Sequence, residues 1–449
     1  MKRTKTQTLL TLLLAAVASF AYANHRERTA GVDFYANWAA AAAQRSAGQS
    51  LGSPYINLDG YADIHRTMVM QHPDDEPLFL ATAFWYNSAA GRSWLPLQTP
   101  LIFTSFTLFP SDFSFAFALY RWSAWLLFIF ALALWGSLSP SLAGWMPASA
   151  FILLLSFFPV QRDLGVGNVG VFLLAGLVSA LVLVHRIKRL SAGHAVVFQA
   201  VLATWLTFLT LFKPLVLLPC LLVGLYVLVT GTSRERVAFL LASTASLALC
   251  LLVSSWFFGS WTVWLDWFDY LAVRKHMVFP SSSFNCSLVI ILVERFGTNP
   301  LVFSAAIGGV LIGSLLVVFR SRVLTARSLF GDPVQLASLS ILATLAVSPL
   351  VWHHYYVLAV LPALWLFSRR DGSLLITGLV LVAWLANTPL IVNWLLAQSH
   401  SDGALMLQSV SWVPLWIGSL LVLGLDSGAA AGAPHRYGSA RKDILSRLA

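Results

Sequence analysis

Residues 195–230 read AVVFQAVLATWLTFLTLFKPLVLLPCLLVGLYVLVT, with a single charged side chain, Lys213. A membrane-crossing helix needs about 20 mostly apolar residues, and this stretch supplies two of them. The break falls at Lys213-Pro214, where proline removes a helical hydrogen bond and clashes with the preceding turn. Working outward, comparable runs occupy 8–24, 94–110, 119–138, 147–185, 237–258, 301–319, 334–350, 355–368, 373–392 and 408–425. None shows the period-2 alternation of a transmembrane barrel. The whole composition agrees: of 449 residues 58% are hydrophobic and 10% charged, and the mean hydropathy is +0.77. Soluble domains are roughly 45–50% apolar and 25% charged. The sequence therefore predicts an all-α polytopic membrane protein, one domain over 1–449, with about 12 spans. A soluble enzyme, a disordered scaffold and a disulfide-rich secreted module are excluded; two of the three cysteines, Cys220 and Cys250, sit inside apolar runs.

The net charge of +10 is a topology signal. With Lys2, Arg3 and Lys5 inside and the spans alternating, the clusters Arg186–Arg189, Arg234–Arg236, Arg320–Arg327 and Arg369-Arg370 all fall inside. The basic tail over 426–449 and Arg121 join them. No nucleic-acid partner is expected once the charge is accounted for in this way. The run 147–185 fits the scheme if it makes one net crossing, interrupted by Gln161-Arg162-Asp163 and Gly165–Asn168, as a broken or re-entrant segment. Residues 8–24 read either as a cleaved signal, with Ala21-Tyr22-Ala23 as its cleavage site, or as a retained first helix.

Two outer segments, 25–93 and 259–300, exceed simple turns, and long ordered loops are usually functional. They carry carboxylates, amides and aromatics, a mixture suited to sugars. Asp33 lies in Gly31-Val32-Asp33-Phe34-Tyr35. Near the membrane surface, apolar neighbours would raise its pKa and make it a better proton acceptor; the alternative is a solvated loop carboxylate. Asp74-Asp75-Glu76 reads as a solvated turn. Lys213, at an outer helix end, could snorkel to headgroups or neutralise a phosphate. His353 and His354 adjoin another outer end, and neighbouring helical residues diverge by about 100°, a poor metal pair. No metal, phosphate-loop or dinucleotide motif is present.

Taken in order, these features resemble the GT-C-fold glycosyltransferases, nearest to the polyprenol-phosphate-mannose-dependent α-mannosyltransferases of family 87. Asp33-Phe34 with Tyr35 and Trp38 resembles the family's Asp-Phe-aromatic motif. Leu97-Gln98-Thr99-Pro100-Leu101 is similar to its Tyr-Pro-Pro-Leu, and Gly167-Asn168-Val169-Gly170 stands where the family has Gly-Gln-Val-Asn. Phe212-Lys213-Pro214 resembles its Lys-Pro motif, Asn285-Cys286-Ser287-Leu288 its Asn-Gln-Ser-Leu, and Ser348-Pro349 with Trp352-His353-His354 its Ser-Pro and Trp-Asp-His-His. The resemblance covers about residues 30–365.

What the resemblance implies is sugar transfer from a polyprenyl-phosphate donor to a glycan or glycolipid acceptor at the outer membrane face, inverting, without metal or cofactor. Asp33 would be the general base, and Lys213 with His353 or His354 would hold the lipid phosphate. Asn285, and the rings of Tyr35 and Trp38, would contact the sugars. A bacterial plasma membrane is the expected setting, although an endoplasmic-reticulum membrane imposes the same physics. Two rivals are a transporter or flippase for lipid-linked sugars, which predicts internal repeats and mid-membrane charges, and another lipid-linked glycan ligase.

Overall fold

The computed structural model describes residues 31–47, 51–57, 60–61, 63–64, 67, 70, 78, 98–138, 156–274, 285–320, 331–368, 374–397 and 401–432. Among them the ordered elements are helical, and the one β-type pairing is an isolated antiparallel bridge between Asn285 and Trp352. The α-helices in order are α1 (Val32–Ala47), α2 (Pro100–Phe106), α3 (Phe113–Leu138), α4 (Phe158–Val166), α5 (Gly170–Ile187) and α6 (Ala192–Phe212). There follow α7 (Leu217–Thr230), α8 (Ser233–Phe258), α9 (Val263–Arg274), α10 (Leu288–Phe296), α11 (Pro300–Arg320) and α12 (Pro333–Val347). The last are α13 (Val360–Ser368), α14 (Leu374–Leu385), α15 (Pro389–Ala397), α16 (Ser401–Ser409) and α17 (Trp412–Gly432). Six of the described helices are long and apolar enough to cross a membrane. The protein is an all-α integral membrane protein.

Local chemistry fixes several helix ends. Lys213 precedes Pro214, and a pre-proline residue is pushed out of the α region; its backbone is extended at φ −146°, ψ 108°. That ends α6, and a 3-10 turn over Pro214–Val216 starts α7. At the opposite end Thr232 opens α8 with a reciprocal cap: Glu235 N–H donates to the Thr232 hydroxyl, and Thr232 N–H to Glu235 Oε2 at 2.7 Å. Asp332 caps α12 by accepting from Val334 N–H at 2.9 Å, with Pro333 at the first helical position.

The helices sort their surfaces as a bilayer requires. On α5, Leu173, Leu174, Leu177, Val178 and Leu181 are buried against the bundle. On α11, by contrast, Leu301, Val310, Ile312, Leu316 and Val317 are exposed. An apolar helix with so much free surface suits hydrocarbon contact rather than water. Arg186 ends α5 and Arg234 and Arg236 start α8, whereas Asp33 and Lys213 lie at the other end of the bundle.

Three expectations about segments change. The run 94–110 is not a crossing in its described part: α2 has seven residues, only about 10 Å of helix. Just past its end the Thr107 and Phe109 carbonyls accept from the Arg45 guanidinium of α1, and Leu101, Ile102, Phe103 and Phe106 are buried within the protein. Because α3 then starts beside α1, Arg121 lies at the same end as Asp33, one residue from Tyr120, whose hydroxyl reaches Asn168. The chain is back at that end by α4, whose C-terminal turn carries Asn168 to Asp33; residues 139–155 are outside the described ones. Finally, the alternative reading of Asp33 as a carboxylate in a solvated loop gives way, since Asp33 opens α1, whose residues 34–44 are buried. Residues 1–30, the Asp74-Asp75-Glu76 turn and the tail from 433 lie outside the described residues.

Candidate active site

Asp33 stands in the first turn of α1, where helix dipoles favour an anion. The next residue, Phe34, is fully buried among the rings of Phe106, Phe109, Phe113, Phe117 and Tyr120, with centroids 5.0–5.8 Å away. This aromatic socket anchors the helix start and sets the direction of the carboxylate beside it. The Asp33 side chain keeps 25% of its surface exposed.

One wall of the site is the break between α4 and α5. Gly167 adopts the left-handed φ of 74°, and a β-carbon there would overlap the Phe34 side chain. Only glycine satisfies both conditions. The turn delivers the Asn168 amide to Asp33, with Nδ2 donating to Oδ2 at 2.8 Å. Asp163, fully buried, accepts from the Gly170 and Val171 N–H groups at 3.0 and 2.9 Å. Its charge meets the unsatisfied donors that open α5, which makes it a structural cap.

The other walls come from distant segments. His354 Nε2 is 3.8 Å from Asp33 Oδ2 and has no hydrogen-bond partner among the described residues. Lys213 Nζ donates to Gln98 Oε1 at 2.6 Å and sits 5.4 Å from the centre of the Tyr355 ring, a cation–π geometry. Gln98 is placed by its neighbours: Tyr55 Oη donates to its carbonyl at 2.6 Å, and Thr99 Oγ1 donates to Phe212 O at 3.0 Å.

These groups lie outside the six long apolar helices, and burial dominates their titration. It raises the Asp33 carboxyl, opposed by the Asn168 hydrogen bond and by Lys213 and Arg162. It lowers the Lys213 ammonium to about 8, with Asp33 and Asp163 pulling the other way. It drives His354 well down, helped by the positive charge of Lys213, so the imidazole is neutral near pH 7. The result is a carboxylate of increased basicity, a cation and a neutral imidazole around one partly open space.

The other anticipated residues are placed differently. His353 turns away from its neighbour: its Nδ1 is 3.2 Å from the buried Cys286 thiol, and Phe158 packs edge-on at 5.7 Å. Asn285 is fully buried and acts as a clasp, donating to Pro349 O at 3.0 Å and accepting from Val351 N–H at 2.9 Å and Ser287 N–H at 3.2 Å. Trp38 is buried, with Nε1 donating to Pro110 O at 2.8 Å, and Tyr35 packs on Phe113 at 5.7 Å. Neither ring offers an open face to a sugar. Three contributors, Asn168, Gln98 and Tyr355, had not been singled out as site residues, although each lies within or beside a quoted motif.

Beside the His353 segment lies a small apolar crevice of about 40 Å³, lined by Phe157, Ala359, Val360, Val380, Trp384 and Leu415 among others. Among the described residues no group of three His, Cys, Asp or Glu side chains is placed to share a metal ion. No family model matches the chain, and no curated protein matches it.

Proposed function

We propose that this protein is a membrane glycosyltransferase of GT-C type, with about 12 spans, that moves a sugar, mannose by resemblance, from a polyprenyl phosphate to a glycan or glycolipid acceptor. The reaction takes place at the outer face of a bacterial plasma membrane and inverts the anomeric centre. The observation that carries this reading is the convergence of Asp33, His354 and Lys213 from segments far apart in sequence, with Asp33 and His354 3.8 Å apart.

Each group has a task that fits its environment. The acceptor hydroxyl approaches Asp33, whose carboxylate takes the proton as the new glycosidic bond forms. The bond from the anomeric carbon to the lipid phosphate oxygen breaks, and the charge passes to that phosphate. Lys213 neutralises it, and His354 Nε2, in its donor tautomer, offers a hydrogen bond that no described residue accepts. His353, Asn285, Tyr35 and Trp38 shape the surroundings and do not touch the reacting atoms. The apolar crevice next to residues 359–360 has the character needed for a hydrocarbon tail.

The test is turnover with polyprenyl-phosphate mannose and membrane glycolipid acceptors, using the full chain in nanodiscs. Release of polyprenyl phosphate coupled to acceptor glycosylation is expected. Passage of intact lipid-linked sugar across liposomes without cleavage would instead establish a flippase.

A further inference from the structure

The Asn168 side chain is held more firmly than a turn residue needs. Its Oδ1 accepts from Val169 N–H at 2.8 Å, its own N–H donates to Asp163 O at 2.9 Å, and its carbonyl receives the Tyr120 hydroxyl. The residue is 3% exposed. The Oδ1 contact settles the amide orientation, because only the nitrogen then faces Asp33. A cap of its own turn would use Oδ1 and leave Nδ2 idle. Here Nδ2 meets Asp33 Oδ2. His354 Nε2 approaches that same oxygen, so both protein neighbours of the carboxylate lie on one side.

We propose that Asn168 is a positioning residue for the Asp33 base: it pins Oδ2 and leaves Oδ1, which has no protein partner among the described residues, to receive the acceptor's proton. This rests on the transferase reading. A neutral amide suits the task, since a fixed cation hydrogen-bonded at this distance would stabilise the carboxylate too strongly for it to act as a base. Asn168 also opposes the burial that raises the Asp33 carboxyl. The charged or titratable groups around Asp33 are Arg162 and Asp163 on α4, Lys213 after α6, Tyr120 on α3, and His354 and Tyr355 on the 353–359 turn. The Tyr120 and Asp163 contacts to residue 168 are to its backbone, so a side-chain change there keeps them.

Two readouts test it on the full chain in detergent: the pH profile of kcat with polyprenyl-phosphate mannose, and a difference-infrared titration of the protonated Asp33 carboxyl, assigned by its loss in Asp33→Asn. In Asn168→Ala the acidic limb and the infrared midpoint should both rise by about one pH unit, the scale of one charge-assisted hydrogen bond. On that acidic limb kcat should fall roughly tenfold at a fixed pH, with donor KM nearly unchanged. Asn168→Asp keeps an oxygen for Val169 N–H and adds a like charge, so its limb should rise further; it serves if the alanine variant does not fold. An unmoved infrared midpoint in a folded variant overturns the positioning role. A shifted midpoint in a protein that transfers no sugar supports the Asn168–Asp33 coupling and defeats the transferase reading.

Discussion

Replacing Lys213 and Gln98 together separates what the site needs from what the fold needs. Burial holds the Lys213 ammonium at about 8 instead of 10.5. At about 1.4 kcal/mol per unit, keeping this lysine charged near pH 7 costs the fold about 3 kcal/mol. Lys213→Met removes that cost but strands Gln98 Oε1, a penalty of about 1–3 kcal/mol. In the double variant Lys213→Met/Gln98→Leu neither the charge nor the orphaned acceptor remains, and the expected gain approaches 3 kcal/mol. The sign with pH follows from proton counting. The folded value lies below the unfolded one, so between about 8 and 10.5 the unfolded chain holds a proton that the folded chain has lost. Wild-type stability therefore rises across that window, and the variant's advantage should vanish above it. Unfolding in detergent micelles at about pH 7 and about pH 10 measures both effects. A double variant less stable than wild type near pH 7, or a gap that ignores pH, would refute the reasoning. Donor affinity should move the opposite way, weakening about 10–100-fold with the phosphate's cation gone.

Gly167→Ala forces a β-carbon onto Phe34 at a φ of 74°, so it should cost at least about 1–3 kcal/mol, read as a lowered unfolding midpoint. Asn285→Ala opens the clasp on residues 349–351 and should lose about 2–4 kcal/mol; retained thermal stability would contradict the clasp. Trp38→Phe keeps the packing and gives up the bond to Pro110, so a loss of about 1 kcal/mol with unchanged kcat is expected, and a collapse of kcat would return Trp38 to the sugar site.

Much of the helix pattern is legible in hydropathy, because a bilayer demands long apolar runs. Residues 100–106 show its limit: their side chains are as apolar as a span's but pack against α1 and α8, and hydropathy does not distinguish protein from lipid as the apolar solvent. Lys213 is readable for a local reason, since Pro214 stops the helix and leaves a cation at its end. Asp33 is readable because Phe34 supplies an anchor beside it. The partnership of Asp33 with Asn168 spans 135 positions, and that of Lys213 with Gln98 spans 115; no local pattern encodes either. Trp38 and Asn285 mislead because an indole or an amide has the same letter whether it grips a ligand or another turn of backbone. Only the filled hydrogen bonds distinguish the two.

The most direct measurement compares wild type with Asp33→Asn for kcat and for equilibrium binding of polyprenyl-phosphate mannose. The amide keeps the shape and loses the proton acceptor, so the account expects kcat to fall about 10²–10⁴-fold while donor affinity changes little. Equal rates of polyprenyl-phosphate release from the two proteins would contradict the role of Asp33 as the base.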